Sequence, residues 1–201
     1  MTGAAGRKSD LALNAPRTPL ILKARRVAGN TLVFRDAQVA DAAFILLLRT
    51  DSGKSRYLSQ TSPEIERQKA WLESYTEQTG QAYFIIETPG GDPLGTVRLY
   101  DAQADSFCWG SWILKSGTPR FAAIESVLMV YSYAVNHLGF RAAHFDVRKG
   151  NESVWRFHER FGAIRTGETA HDYLYRIDCE RIASAAVRYQ KYLPEIVTVD
   201  P

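Results

Sequence analysis

The sequence predicts a mixed α/β fold: a largely antiparallel central sheet with helices on both faces. Two patterns lead there. Three strand-like runs follow one another between residues 83 and 114 with only turn residues between them, which makes an antiparallel meander. A long apolar-striped helix then separates the third run from the next strand, and a crossover of that length joins parallel neighbours.

The elements follow in order. Residues 1–19 are rich in Gly, Ala and Pro without a period and are expected as a disordered leader. Residues 20–27 read as a strand that turns at Ala28-Gly29-Asn30 into a second at 31–35. A short buried helix is expected over 41–49, then a polar loop at Asp51-Ser52-Gly53-Lys54. The next helix carries start signals: Ser62 as cap, Pro63 at the first position, and Glu64 and Glu66 at its positive end. Gly80 stops it.

The meander runs over 83–88, 94–101 and 107–114, with Pro89-Gly90-Gly91-Asp92 as its first turn. After Gly117-Thr118-Pro119 the long helix places Phe121, Ile124, Leu128, Tyr131 and Val135 on one stripe expected to face the sheet. Strand 142–147 leads to a helix opened by Asn151, with Val154, Phe157 and Phe161 inward and Gly162 at its end. Strands at 164–169 and 173–177 and a helix over 178–192 follow. Residues 20–178 are expected as one domain and 179–201 as an added helix and tail, a candidate for covering a sheet edge or building a homodimer contact.

Composition narrows the function. Hydrophobic residues make up 45% and charged residues 23%, enough apolar material for a core without disulfides or metals. Residues 1–29 hold six basic side chains against Asp10 alone, a net +5. The chain's +3 therefore leaves −2 for the remainder, and a nearly neutral body argues against nucleic-acid binding. Cys108 and Cys179 form no CxxC and have no nearby His pair, so no metal site is expected, and a reducing, cytoplasmic setting fits. The longest apolar run is interrupted by Glu125, Ser126 and Ser132 and is too short for a membrane span, and no signal peptide is expected.

The stretch from Asn151 to Ala163 opens on Asn and closes on Gly162, with a basic residue two before that glycine. Together with Phe34-Arg35-Asp36, Asp41 and the element order over residues 20–178, it resembles the GNAT superfamily of N-acetyltransferases. Ala163 stands where that family usually has Phe. Gln68, Trp71 and Tyr75, the run from Gly95 to Tyr100, and Trp109-Gly110-Ser111-Trp112 are similar to bacterial enzymes that acetylate sugar amines for surface polysaccharides. There is also similarity to the group that acetylates ribosomal-protein N-termini.

The resemblance implies acetyl-coenzyme A as co-substrate and a sheet splayed between strands 107–114 and 142–147. It implies pantetheine contacts from the Ile113 and Leu114 backbones and from Asn151, whose other role is to cap its helix. The family's pyrophosphate loop is glycine-rich, whereas Thr118-Pro119-Arg120-Phe121-Ala122-Ala123 has no glycine. What remains is a helix N-terminus, with the amides of Arg120, Phe121, Ala122 and Ala123 expected to face the phosphates and Arg120 adding charge. His158 falls where many members carry a Tyr as general acid, and an imidazolium with the usual pKa near 6.5 suits that role.

Trp71, Tyr75, Tyr83, Arg98 and Trp112 are the candidate acceptor contacts, with the aromatics also suited to core packing. Arg98 within a strand suits a phosphate or an acidic neighbour. Glu87, Asp101, Glu125, His171 and Asp172 are candidate bases among which the sequence does not choose, although a structural role suits Glu125 better. The expected function is acetyl transfer to a primary amine, with a nucleotide-linked amino sugar as leading acceptor. The alternatives are a peptide α-amine or lysine, and a GNAT-fold binding module without catalysis.

Overall fold

In the computed structural model, residues 18–51, 53, 55–57 and 61–201 are described. The expected leader lies outside them except for residues 18 and 19, as do Ser52 and Lys54 of the expected loop. Nine strands form one mixed sheet. They are β1 (Arg26–Ala28), β2 (Val33–Asp36), β3 (Ala82–Glu87), β4 (Pro93–Gln103), β5 (Ser106–Leu114), β6 (Ala142–Arg148), β7 (Ile164–Glu168), β8 (Asp172–Asp178) and β9 (Thr198–Asp200). Their spatial order is β7-β8-β6-β5-β4-β3-β2-β1-β9. The β5–β6 pair is parallel and every other pair antiparallel. Five helices cover the sheet: α1 (Ala42–Thr50), α2 (Ile65–Glu77), α3 (Arg120–Ser132), α4 (Glu152–Phe161) and α5 (Cys179–Arg188).

Strand alternation divides the core between two faces. Ala82, Phe84 and Ile86 of β3, with Val97 and Leu99 of β4, join the large cluster that contains α3. Tyr83 and Ile85 point the other way, into a smaller cluster with Leu72 and Tyr75 of α2 and Ile45 of α1. A cavity opens on this second face.

Four expectations change. The first strand shrinks to β1: the Leu22 carbonyl accepts from the Tyr133 hydroxyl at 2.8 Å instead of joining a ladder, while Ile21 and Ala24 are buried as side chains. Ser62 does not cap α2. Glu64 occupies the cap position, the helix starts at Ile65, and the Ser62 hydroxyl accepts from the Glu64 amide at 3.4 Å.

Phe121 is 39% exposed rather than turned to the sheet, and α3 is buried nearly all round from Glu125 to Tyr131. The burial of the later turns of α3 has its reason in the chain's end. Helix α5 ends at Arg188, short of the expected 192. The tail then runs beside α3, where the Val197 amide donates to Ser132 Oγ at 3.2 Å, and finishes as β9 paired with β1. A helix covered on both sides loses the one-sided pattern of a surface helix. Among the described residues no helix is long and apolar enough to cross a membrane.

Candidate active site

Strands β5 and β6 pair only at Ser106–Ala142, Phe107–Ala143 and Cys108–His144. Beyond Cys108 they diverge. A polar row across three strands pins the closed end: His144 Nδ1 meets Ser106 Oγ at 2.8 Å, and its Nε2 meets Asp101 Oδ2 of β4 at 3.3 Å. On the open side β5 keeps its β4 partner but bulges. Thr96 and Arg98 of β4 face Ile113 and Gly110, so two steps on β4 span three on β5.

Ser111 takes the extra place with φ +47°, a backbone conformation that costs a non-glycine residue about 1–3 kcal/mol. The Thr96 hydroxyl holds it by donating to the Ser111 carbonyl at 2.8 Å. Close packing fixes two glycines here. A Cβ on Gly95 would stand 2.3 Å from the Ile113 carbonyl oxygen, and one on Gly110 would stand 3.0 Å from the Tyr100 hydroxyl.

Helix α4 brings His158 against both diverging strands. Its ring centroid lies 5.3 Å from Trp109 of β5 and 4.4 Å from Phe145 of β6. The side chain is buried, and burial alone lowers its pKa to about 3. The expected imidazolium is therefore not the resting form; a neutral imidazole is. Its Nδ1 is sealed from solvent without a hydrogen-bond partner, as are Trp109 Nε1 and the Tyr131 hydroxyl, and the Tyr131 ring packs edge-on against Trp109 at 5.8 Å.

Trp112 belongs to this wall rather than to an acceptor pocket. Its Nε1 donates to Ser126 Oγ of α3 at 3.1 Å, and its ring lies 5.3 Å from Phe157. Ile113 is buried and Leu114 half-buried on the stretch of β5 that runs past its ladder with β6.

Two helix starts follow the unpaired ends of β5 and β6. Pro119 occupies the cap position of α3, and no side chain caps that end. The Ala122 amide bonds the Pro119 carbonyl at 3.0 Å, so it is not available to a phosphate as expected. Arg120 and Phe121 are exposed and Ala123 half-buried. At α4, Asn151 is the cap residue, but its side chain makes no cap bond. The capping role suggested by the sequence is unfilled.

On the α1/α2 face a cavity of about 320 Å³ opens at the bulge, with Ser111 in its wall. Arg49, Arg67 and Arg98 line it together with Gln68, Trp71 and Tyr83. No Asp, Glu or His lies among its described lining residues. The sequence placed Trp71, Tyr83 and Arg98 at an acceptor site, and the fold brings these three together.

Tyr75 is not part of the cavity. It is fully buried, donating its hydroxyl to Asp36 and accepting the Tyr83 amide at 2.8 Å, and it supports Trp71 by stacking at 5.8 Å. Arg98 reaches Gln81 Oε1 through Nε at 2.7 Å and lies between the Trp71 and Tyr100 rings, at 5.2 and 5.1 Å. Burial lowers its pKa.

Residues 31–164, two thirds of the chain, match the acetyltransferase (GNAT) domain. The chain belongs to the GNAT acetyltransferase family.

Among solved structures it is similar to apo FdhC, a nucleotide-linked sugar GNAT. The two are 35% identical with a TM-score of 0.75, over 84% of this chain and 98% of that one. Its fold is also that of a putative acetyltransferase from T. thermophilus (20% identity, TM-score 0.69, 83% and 95% of the two chains). A spermidine N-acetyltransferase from Vibrio cholerae, in complex with CoA and spermine, shares it too (14% identity, TM-score 0.68, 76% and 98%). No curated protein matches the sequence. As a GNAT member the chain is an N-acetyltransferase, an acyltransferase.

None of the five candidate bases lines the GNAT cavity. Glu87 is bound to Arg35 at 3.1 Å, Asp101 to His144, and Asp172 to Arg148 at 3.3 Å; His171 lies in the turn between β7 and β8. Glu125 is structural, as its sequence position suggested. Its carboxylate accepts from the Thr31 amide and hydroxyl and the Leu32 amide, closing the β1–β2 turn. Among the described residues no group of three or more His, Cys, Asp and Glu is placed to hold a metal. Sequence reasoning missed Arg49, Arg67 and the bulge at Ser111. Only the bulge left a signal, a glycine inside a strand at Gly110.

Proposed function

We propose that this GNAT enzyme uses acetyl-coenzyme A to acetylate the primary amine of a nucleotide-linked amino sugar. The observation that carries the acceptor class is the cavity: three arginines, an aromatic platform at Trp71 and no carboxylate among its described lining residues. Such a lining favours an anionic, ring-bearing acceptor over a polyamine or a basic peptide. The similarity to a nucleotide-linked sugar GNAT supports the same reading.

The residues present fit the co-substrate. The stretch of β5 past its β6 ladder, around Ile113 and Leu114, would run beside the pantetheine arm, and the Asn151 carboxamide, which makes no cap bond, would serve the same arm. The amides of Arg120, Phe121 and Ala123 at the start of α3, with the Arg120 charge, suit the pyrophosphate. When bound, acetyl-coenzyme A supplies an activated acetyl group. Arg67 and Arg49 hold the acceptor's phosphates, while Trp71 stacks on its ring. Ser111 positions the amine at the bulge, where the two sites meet. His158, held neutral, offers an N–H hydrogen bond to the departing sulfur.

The test is free-thiol release with acetyl-coenzyme A and one acceptor at a time. Nucleotide-linked amino sugars should release thiol, and N-terminal peptides and spermidine should not. Turnover of peptides instead would favour the protein-acetylating alternative. No detectable binding of acetyl-coenzyme A at millimolar concentration would favour a non-catalytic module.

A further inference from the structure

A transferase that acts on an amine must receive it without its proton, because only the free amine has a lone pair for the thioester carbon. The usual device is a carboxylate or histidine at hydrogen-bond distance. No such side chain lies among the described lining residues of this cavity; four candidate bases are bound to other side chains or to backbone, and His171 lies in the turn between β7 and β8.

What the cavity has is positive charge, and Arg98 carries it beside the bulge. Its Cα partner across the β4–β5 ladder is Gly110, the neighbour of Ser111, and both Arg98 and Ser111 line the cavity. Arg98 is half-buried and its contacts are neutral: the Gln81 carboxamide oxygen and the rings of Trp71 and Tyr100. A guanidinium without a carboxylate beside it exerts its full field on whatever else enters.

We infer that Arg98 keeps the acceptor amine unprotonated by charge repulsion, in place of a general base. A neighbouring cation disfavours the ammonium form and lowers the amine's pKa, by at least about one pH unit at short range. The ammonium proton leaves to water as the acceptor settles. The free amine R–NH2 then attacks the acetyl carbon, forming the N–C bond as the C–S bond breaks. The surplus nitrogen proton ends on the thiol, giving R–NH–acetyl and free coenzyme A.

The surroundings do not cancel the effect. Tyr83 on β3, Tyr100 on β4 and Tyr75 on α2 face Arg98, and burial raises all three phenols, so they stay neutral. Arg49 on α1 adds charge of the same sign, while Arg67 on α2 is paired with Glu64 at 2.6 Å and adds little. The acceptor's own phosphates oppose it. Arg67, with a side chain 71% exposed, sits at the mouth, where a diphosphate trailing from the sugar would be met.

The inference rests on the acceptor class proposed above, and the test separates the two. A panel of nucleoside diphosphate-linked amino sugars is assayed, with each free-amine pKa measured by NMR titration. The pH profile of kcat at saturating acceptor is then recorded for wild type, Arg98→Lys and Arg98→Gln. Coenzyme A binding checks that each variant is folded.

The wild-type acid limb should lie at least about one pH unit below the free amine's pKa. Arg98→Lys should keep it there, and Arg98→Gln should move it up by about one unit, so that activity on the acid side falls about tenfold more than on the alkaline side. A Gln profile that superimposes on wild type overturns the inference while leaving the acceptor class standing. So does a wild-type limb at or above the free-amine value, a comparison that decides even if the Gln variant fails to fold. Absence of turnover with every member of the panel overturns the acceptor class and this inference with it.

Discussion

The Thr96 hydroxyl donates a 2.8 Å hydrogen bond to the Ser111 carbonyl, tying β4 to the bulge of β5 that lines the cavity. Thr96 is fully buried, so the bond is not exchanged with water. Thr96→Val keeps the shape and removes the donor. It should cost about 1–2 kcal/mol of stability, measured by urea unfolding. It should lower kcat about tenfold with little change in either KM, because the bulge positions reacting groups rather than binding them. Unchanged kcat would mean the bulge keeps its geometry without this bond.

His158 sets a pH dependence of stability. Its folded pKa is about 3 against about 6.5 unfolded, so the folded state prefers the neutral ring. The unfolded chain binds the extra proton first as pH falls. The stabilisation is therefore complete above about pH 6.5 and is lost progressively toward pH 3, at up to about 1.4 kcal/mol per pH unit. Urea unfolding at pH 7.5, 6.0 and 5.0 should show this slope in wild type and a smaller one in His158→Leu. Equal slopes would contradict a buried neutral ring.

Asn151→Ala should raise the KM for acetyl-coenzyme A about tenfold and leave thermal stability nearly unchanged, because the side chain makes no cap bond to lose. A fall in stability near 1 kcal/mol with an unaltered KM would return Asn151 to the role of helix cap.

Glu125→Ala should act in the opposite way. Three donors at Thr31 and Leu32 lose their acceptor, and stability should fall by about 3 kcal/mol. In the protein that remains folded, the pH dependence of kcat should match wild type. A lost alkaline or acid limb would instead place Glu125 in proton transfer.

The sheet was readable because its signals are local: turn residues separate the meander strands, and Gly162, with φ +103°, closes α4 as its position suggests. Strand β9 was not readable. Its three residues are too short a run to mark a strand, and they acquire strand form by meeting β1, at the far end of the chain. Trp71, Tyr83 and Arg98 could be paired with an acceptor because aromatic and charged residues in regular elements stand out. Tyr75 carries the same signal, but the Asp36 carboxylate and Tyr83 amide that bind it are brought there only by folding. Arg49 and Arg67 looked like ordinary surface arginines of α1 and the start of α2, and only packing brings their guanidinium groups to one cavity. The depressed pKa of His158 likewise depends on Trp109 and Phe145, distant in sequence.

If the gap between β5 and β6 holds the coenzyme arm, the residues at its open end should govern coenzyme binding. Calorimetric titration of coenzyme A into wild type and into Asn151→Ala is the sharpest check, since the Asn151 carboxamide opens α4 just after β6 and makes no cap bond. Wild-type protein should bind at micromolar concentration, with binding at least about tenfold weaker in Asn151→Ala while circular dichroism stays native. Wild-type protein that takes up no coenzyme A at millimolar concentration would contradict that placement of the arm.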